Sequence, residues 1–172
     1  MISVIIPAYN EQACIGETLR LALRQGGTFE VLVVDGGSTD RTCEIVERYD
    51  QVKLCHAAKG RALQMNDGAR QARGDWLLFL RADTLLPRGA IERISSLIEK
   101  GRCRAGGFYR HFEGIGLMSR LISWLDGLRC RITGIVACHQ GFFIERRLFE
   151  ELGGFSENGV REDTDLCLRL RR

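Results

Sequence analysis

Residues 30–40 read Glu30-Val31-Leu32-Val33-Val34-Asp35-Gly36-Gly37-Ser38-Thr39-Asp40: an apolar run that stops at a carboxylate and turns on two glycines. Four consecutive apolar residues suit a strand covered on both faces, the habit of parallel strands flanked by helices. The glycines permit a tight turn, and Ser38 or Thr39 is suited to cap a helix running through Cys43, Val46 and Tyr49. Two further segments end the same way. Asp83 follows Leu77-Leu78-Phe79-Leu80-Arg81-Ala82, and Glu162-Asp163 follows the stretch from Gly141 through Gly153-Gly154-Phe155. Open α/β sheets bind ligands at their carboxyl edge, so strands that end on acids predict an enzyme for a charged ligand.

Working outward from this stretch, Ile2 to Ile6 reads as a β-branched strand stopped by Pro7. A helix follows, with Ile15, Leu19, Ala22 and Leu23 on its buried face. Val52 to Cys55 is a short strand. Gly60 opens a helix carrying Ala62, Met65, Ala69 and Ala72 at helical spacing, and Gly74 ends it. Asp75 to Leu80 is a central strand, and a helix from near Pro87 turns Ile91, Ile94 and Ile98 inward until Gly101. Thereafter Ala105 to Phe112 reads as an edge or antiparallel strand, and Leu117, Leu121, Leu125 and Leu128 mark a helix. Gly141 to Glu145 reads as a strand, Arg146 to Leu152 as a short helix, and Glu162 to Arg172 as a final helix. The expectation is one α/β domain over residues 1–172, a mixed and mainly parallel sheet with helices on both faces.

At 172 residues and 45% hydrophobic, the chain is long enough for one substantial core. Its seven cysteines show no repeated short spacing, so neither a disulfide framework nor a zinc knuckle is expected, and a reducing compartment fits. The opening Met1–Glu11 stretch has neither the basic leader of a signal peptide nor the length of a membrane span. A cytoplasmic protein follows, soluble or peripheral to the inner face of the membrane. The net charge is +3, and 22 of the 25 basic residues are arginines spread along the chain, which suits an anionic ligand and not nucleic acid.

Each acid has two readings on pattern alone. Asp35 either accepts bonds from a base or sugar, with nearby amides meeting phosphate, or serves turn and cap chemistry; neither a GKS/GKT phosphate loop nor a GxGxxG fingerprint is present. Asp83 either coordinates a divalent cation bridging phosphates or, with Thr84, caps the helix near Pro87. Of Glu162 and Asp163, one can deprotonate an acceptor hydroxyl, or both can simply occupy the positive end of a helix, where Asp165 is a further first-turn acid. His56 belongs at a strand end near the nucleotide and His111 on an exposed strand. His139, between Cys138 and Gln140, lacks a clustered ligand set.

Taken in order, Ser3-Val4-Ile5-Ile6-Pro7-Ala8-Tyr9-Asn10-Glu11, Val33 to Asp40, Gly60 to Asn66, Phe79 to Thr84, and Gly153-Gly154-Phe155 followed by Arg161-Glu162-Asp163 resemble family-2 glycosyltransferases. The resemblance covers nearly the whole chain. It implies the A-type, Rossmann-like nucleotide-diphospho-sugar transferase fold, a nucleotide diphosphate sugar donor and a divalent cation, magnesium or manganese. By the same resemblance Pro7, Ala8, Tyr9 and Glu11 line the nucleoside pocket and Asp35 contacts the base. Gly60, Arg61, Asn66, Arg81 and Ala82 lie near the nucleotide or diphosphate, and Asp83 holds the metal. Asp163, with Glu162 as alternate, is the general base for an inverting displacement by an acceptor hydroxyl, lipid-linked or on a glycan, with His139 and Gln140 on the acceptor side. Arg81 stands where many relatives carry Asp; contact with the diphosphate and an orientation away from it both stay open. Cys138-His139-Gln140 likewise replaces an expected Gly-Asp-Gln. The resemblance further implies a catalytic domain without the C-terminal extension of similar proteins. A noncatalytic nucleotide-sugar-binding or assembly protein and a nucleotidyltransferase are the alternatives.

Overall fold

The structure is a computed structural model that describes residues 1–101, 103–108, 141–157 and 162–171, without the side chains of Glu162 and Asp163. Its strands are β1 (Ile2–Ala8), β2 (Phe29–Asp35), β3 (Val52–His56), β4 (Trp76–Phe79), β5 (Ala105–Gly107) and β6 (Phe142–Glu145). They form a six-stranded sheet in the order β3-β2-β1-β4-β6-β5. The first four strands are mutually parallel, and β6 runs antiparallel to both β4 and β5, as the mixed-sheet expectation requires. The helices are α1 (Ile15–Ala22), α2 (Thr42–Val46), α3 (Arg61–Gln71), α4 (Ala90–Glu99), α5 (Arg146–Glu151) and α6 (Glu162–Arg169). The helix expected at Leu117–Leu128 and the far half of the strand expected at Ala105–Phe112 lie outside the described residues.

Strand alternation divides the core between two layers. Val4, Ile6, Val33 and Leu78 pack with Ile15, Leu19, Val46, Ile91 and Ile94, which places α1, α2 and α4 on one face. Ile5, Leu32, Val34 and Phe79 pack on the other with Met65 and Ala69 of α3, Phe149 of α5 and Leu166 of α6. The second layer centres on Phe79, whose ring meets Phe155 edge-on at 4.9 Å and Phe149 at 5.2 Å. Phe79 is 1% exposed, so Phe79→Ala costs about 3–5 kcal/mol of stability, read as the shift in a urea unfolding midpoint. A cost below about 1 kcal/mol would contradict the packing.

Three local expectations need correction. Pro7 does not stop β1, which continues to Ala8 with Pro7 opposite Val34. The Ile5 carbonyl accepts from Leu80 N–H toward β4, and Pro7, two residues on, faces the same way beyond the last β1–β4 pair. Its missing N–H therefore removes no ladder bond. Asp40, not Ser38 or Thr39, serves the start of α2: its Oδ1 accepts from Thr42 N–H at 2.9 Å. Asp83 does not cap α4 either. That helix begins at Ala90, three residues past Pro87, and Gln25 Oε1 accepts from Ala90 N–H at 2.9 Å.

The strand order has a direct consequence for binding. From β1 the chain steps outward to β2 and β3, then returns to the opposite side of β1 as β4. The strand order thus reverses at β1, and open α/β sheets hold ligands at the carboxyl ends of the strands beside such a switch point.

Candidate active site

Ala8, Asp35 and His56 lie side by side at the carboxyl ends of β1, β2 and β3. Gln64 of α3 joins the first two ends, donating through Nε2 to the carbonyls of Ala8 and Val34 at 2.7 Å each. A Cβ on Gly36 would come within 3.0 Å of the Gln64 side chain, which explains a glycine at that turn position. The loops beyond are stitched to each other. Asn10, in the left-handed region at φ 56°, accepts from Thr39 N–H at 2.8 Å, and its own N–H donates to Ser38 Oγ at 2.9 Å. Glu11 N–H donates to Thr42 Oγ1 at 2.8 Å and Gln12 N–H to Asp40 at 3.1 Å.

Within this frame Asp35 is 2% exposed. Its Oδ2 accepts from the amides of Gly37 at 2.8 Å and Ser38 at 3.0 Å, while Oδ1 is buried without a hydrogen-bond partner among the described residues. Burial opposes the charge, but bonds from the Ser38 side chain and the Ser38 and Gly37 amides outweigh it and hold the carboxyl below its ordinary value. Asp35 is thus held as an anion at the carboxyl end of β2, with Oδ1 unpartnered among the described residues.

Pro7 and Ala8 end β1, and Tyr9 follows with Lys59 Nζ 4.0 Å from its ring centroid. This contact brings the β3–α3 loop over the end of β1. Gly60, at φ 149°, precedes α3, and Arg61 is the first residue of that helix. Past β4, Thr84 N–H donates to the Arg81 carbonyl at 3.1 Å, and the turn sets Arg81 Nη2 2.7 Å from Asp83 Oδ2. This ion pair sets the Arg81 side chain beside Asp83. Ala82 is buried and its carbonyl accepts from Thr18 Oγ1 at 2.6 Å, tying the turn to α1. Glu11 accepts from Cys14 Sγ at 3.1 Å; burial first, then Glu11 and the Asp83 charge, push that thiol up to about 12.

Asp83 offers a hard oxygen donor, with Oδ1 engaged among the described residues only by a 3.3 Å bond from Thr84. One carboxylate suffices where phosphates and waters supply the other positions of a magnesium or manganese ion, so the residue fits such a cation through Oδ1. Among the described residues no group of three metal-ligating side chains includes Asp83.

Asn66 stands apart from the expected nucleotide contacts. Its Nδ2 donates to the Phe155 carbonyl and its Oδ1 accepts from Phe155 N–H, both at 2.9 Å. Both ends of the amide are occupied in holding the Gly153-Gly154-Phe155 turn. From the other side Arg169 of α6 donates to the carbonyls of Leu152 and Gly154 and pairs with Asp165, which accounts for that acid. Asn66 and Arg169 thereby set the turn that precedes Glu162 and Asp163, the first two residues of α6. Asn66→Ala leaves two buried backbone groups unpaired at about 1–3 kcal/mol each; a urea midpoint unchanged from wild type would refute this. His139 and Gln140 lie outside the described residues. Gln64, Asn10, Thr18 and Lys59 carry no signal in the sequence beyond their types, because their partners lie elsewhere in the chain.

This chain belongs to Glycosyl transferase family 2, whose model matches residues 3–153. Its relatives include the probable glycosyltransferase YdaM of Bacillus subtilis, 29% identical over 98% of this chain and 46% of that protein. A PGL/p-HBAD biosynthesis glycosyltransferase of Mycobacterium bovis is 31% identical over 98% of this chain and 69% of its own length. The chain thus spans under half of the Bacillus relative. Among solved structures, S. aureus TarS 1-349 superposes with a TM-score of 0.78 at 23% identity, over 98% of this chain and 54% of TarS 1-349. The Pyrobaculum calidifontis mannosyltransferase PcManGT, solved with GDP-Man and Mn2+, gives 0.69 at 22%, over 95% of this chain and 49% of its own. These likenesses show a shared fold.

Proposed function

We propose that this chain binds a nucleoside diphosphate sugar at the carboxyl edge of β1, β2 and β4 and transfers the sugar, with inversion, to an acceptor hydroxyl. The observation that carries the reading is Asp35: a buried carboxylate beside the switch point, with one oxygen fixed by two amides and the other unpartnered among the described residues. A base N–H or a ribose hydroxyl supplies the donor it lacks. Pro7, Ala8, Tyr9 and Glu11 flank that position, and Gly60 and Arg61 meet the nucleotide from α3. Family membership supports the reading, as do neighbours of the same fold solved with UDP, UDP-GlcNAc and GDP-Man.

Asp83 would hold a magnesium or manganese ion, which would supply positive charge against the diphosphate. Arg81, paired with Asp83, brings a second positive charge to the same turn. Asp163 takes the proton of the acceptor hydroxyl as its oxygen attacks the anomeric carbon and the nucleoside diphosphate departs from the opposite face. Among the described residues no helix is long and apolar enough to cross a membrane.

The Arg81–Asp83 pair supports a second reading, a nucleotide-sugar-binding protein in which guanidinium takes the place of the cation and chemistry is absent. The deciding experiment incubates the protein with nucleotide sugars, mixed acceptors and either Mg2+ or Mn2+, following nucleoside diphosphate and glycosylated product. Transfer releases nucleoside diphosphate, and pyrophosphate would instead mark a nucleotidyltransferase. Saturable donor binding without product in any combination establishes the binding protein. In the transferase, Asp83→Ala removes the metal stimulation of turnover; stimulation equal to wild type would exclude Asp83 as the ligand.

A further inference from the structure

Beside Asp35 stand two groups that donor recognition leaves unused. Cys43, in α2, and His56, at the end of β3, converge on it so that one ligand atom from each of the three residues lies within 4.8 Å of the others. His56 Nδ1 is 3.8 Å from Asp35 Oδ2, and Asp35 and His56 are paired across adjacent parallel strands, so the sheet itself sets their separation. Zinc bonds of about 2.0–2.3 Å place tetrahedral ligands roughly 3.3–3.8 Å apart, so the His56–Asp35 separation already fits and the group as a whole, held within 4.8 Å, closes by up to about 1 Å around the ion. The His56 side chain is 70% exposed and the Asp35 side chain 3%. The exposed imidazole is therefore free to adjust against a rigid carboxylate whose Oδ1 lacks a partner among the described residues.

We propose that Asp35, Cys43 and His56 form a binding site for a thiophilic divalent cation of the zinc type, and that this cation and the nucleoside exclude each other. Carboxylate, thiolate and neutral imidazole balance the two positive charges, and water completes the tetrahedron. As the sulfur–metal bond forms, the Cys43 proton leaves to solvent. The site differs from Asp83 in chemistry as well as place. Sulfur and nitrogen donors select a softer cation than the oxygen donors that suit magnesium. The cation site stands independently of the nucleotide reading, whereas the mutual exclusion rests on it, because both ligands require the Asp35 carboxylate.

The test is a titration of the reduced, metal-free protein with Co2+, followed by the thiolate-to-cobalt charge-transfer band in the near ultraviolet. The wild type develops the band, Cys43→Ser loses it, and the exposed-site variant His56→Ala weakens cobalt binding about tenfold or more. No band in the wild type, or an unchanged titration in either folded variant, overturns the site. UDP and GDP are then added to the cobalt-loaded protein, with pyrophosphate at equal concentration as the chelation control. Loss of the band to a nucleotide but not to pyrophosphate supports exclusion. Its persistence with a nucleotide shown calorimetrically to bind the metal-free protein overturns it. If neither nucleotide binds the metal-free protein, the donor reading fails while the cobalt result still decides the cation site.

Discussion

Asp35→Asn lowers affinity for the nucleoside diphosphate by about 10- to 100-fold, the worth of a hydrogen bond to a charged group. The substitution keeps the shape of the side chain and leaves one oxygen for the Gly37 and Ser38 amides. It replaces the unpartnered acceptor with an NH2, which cannot receive a proton from the ligand and is itself buried. Calorimetry with UDP and GDP reads the loss; affinity equal to wild type for a nucleotide the wild type binds would remove Asp35 from the pocket. The same carboxylate gives a pH signature. Its folded-state value lies below the ordinary one, so its ionised form stabilises the fold above the unfolded value near 3.9. That contribution is lost as pH falls through the lower folded value. The gap between wild-type and Asp35→Asn urea midpoints is therefore widest near neutral pH and narrows in acid, and a gap that widens as pH falls would contradict the shift.

Local patterns in the sequence carried the sheet and its two-faced cover. Val31 to Val34 and Leu77 to Leu80 are apolar throughout because helices cover both sides, and Ile91 and Ile94 report their helix by spacing alone. Helix starts were less legible. Asp40 and Ser38 are both good cap types, and the choice between them turned on Ser38 meeting Asn10 from another loop. Gln64 and Asn66 show the same limit more sharply. Each spends its amide on backbone 30 to 89 residues away, and nothing in the local run Arg61-Ala62-Leu63-Gln64-Met65-Asn66 distinguishes a tether from a ligand contact. Arg81 was ambiguous because its orientation depends on the turn after Phe79, which sets it beside Asp83.

Asp163→Asn lowers the rate of sugar transfer by about 10²- to 10⁴-fold, the range for loss of a positioned general base, while donor affinity stays within about twofold of wild type. Asparagine separates the two uses of an acid in the first turn of α6. It still accepts a hydrogen bond at a helix start, so a residue that only stabilises the helix loses little by the exchange, but it cannot take the acceptor proton. An unchanged transfer rate in the folded variant would assign Asp163 to the helix. Glu162→Gln is the matched control, because a larger rate loss there than in Asp163→Asn would move the base by one position. Asn66→Ala supplies the intermediate case. Loosening the turn at Phe155 disturbs the approach to α6 without removing either acid, so its rate loss comes with lowered stability. A folded Asp163→Asn protein that binds donor, keeps its unfolding midpoint and fails in transfer leaves proton removal as the step it has lost.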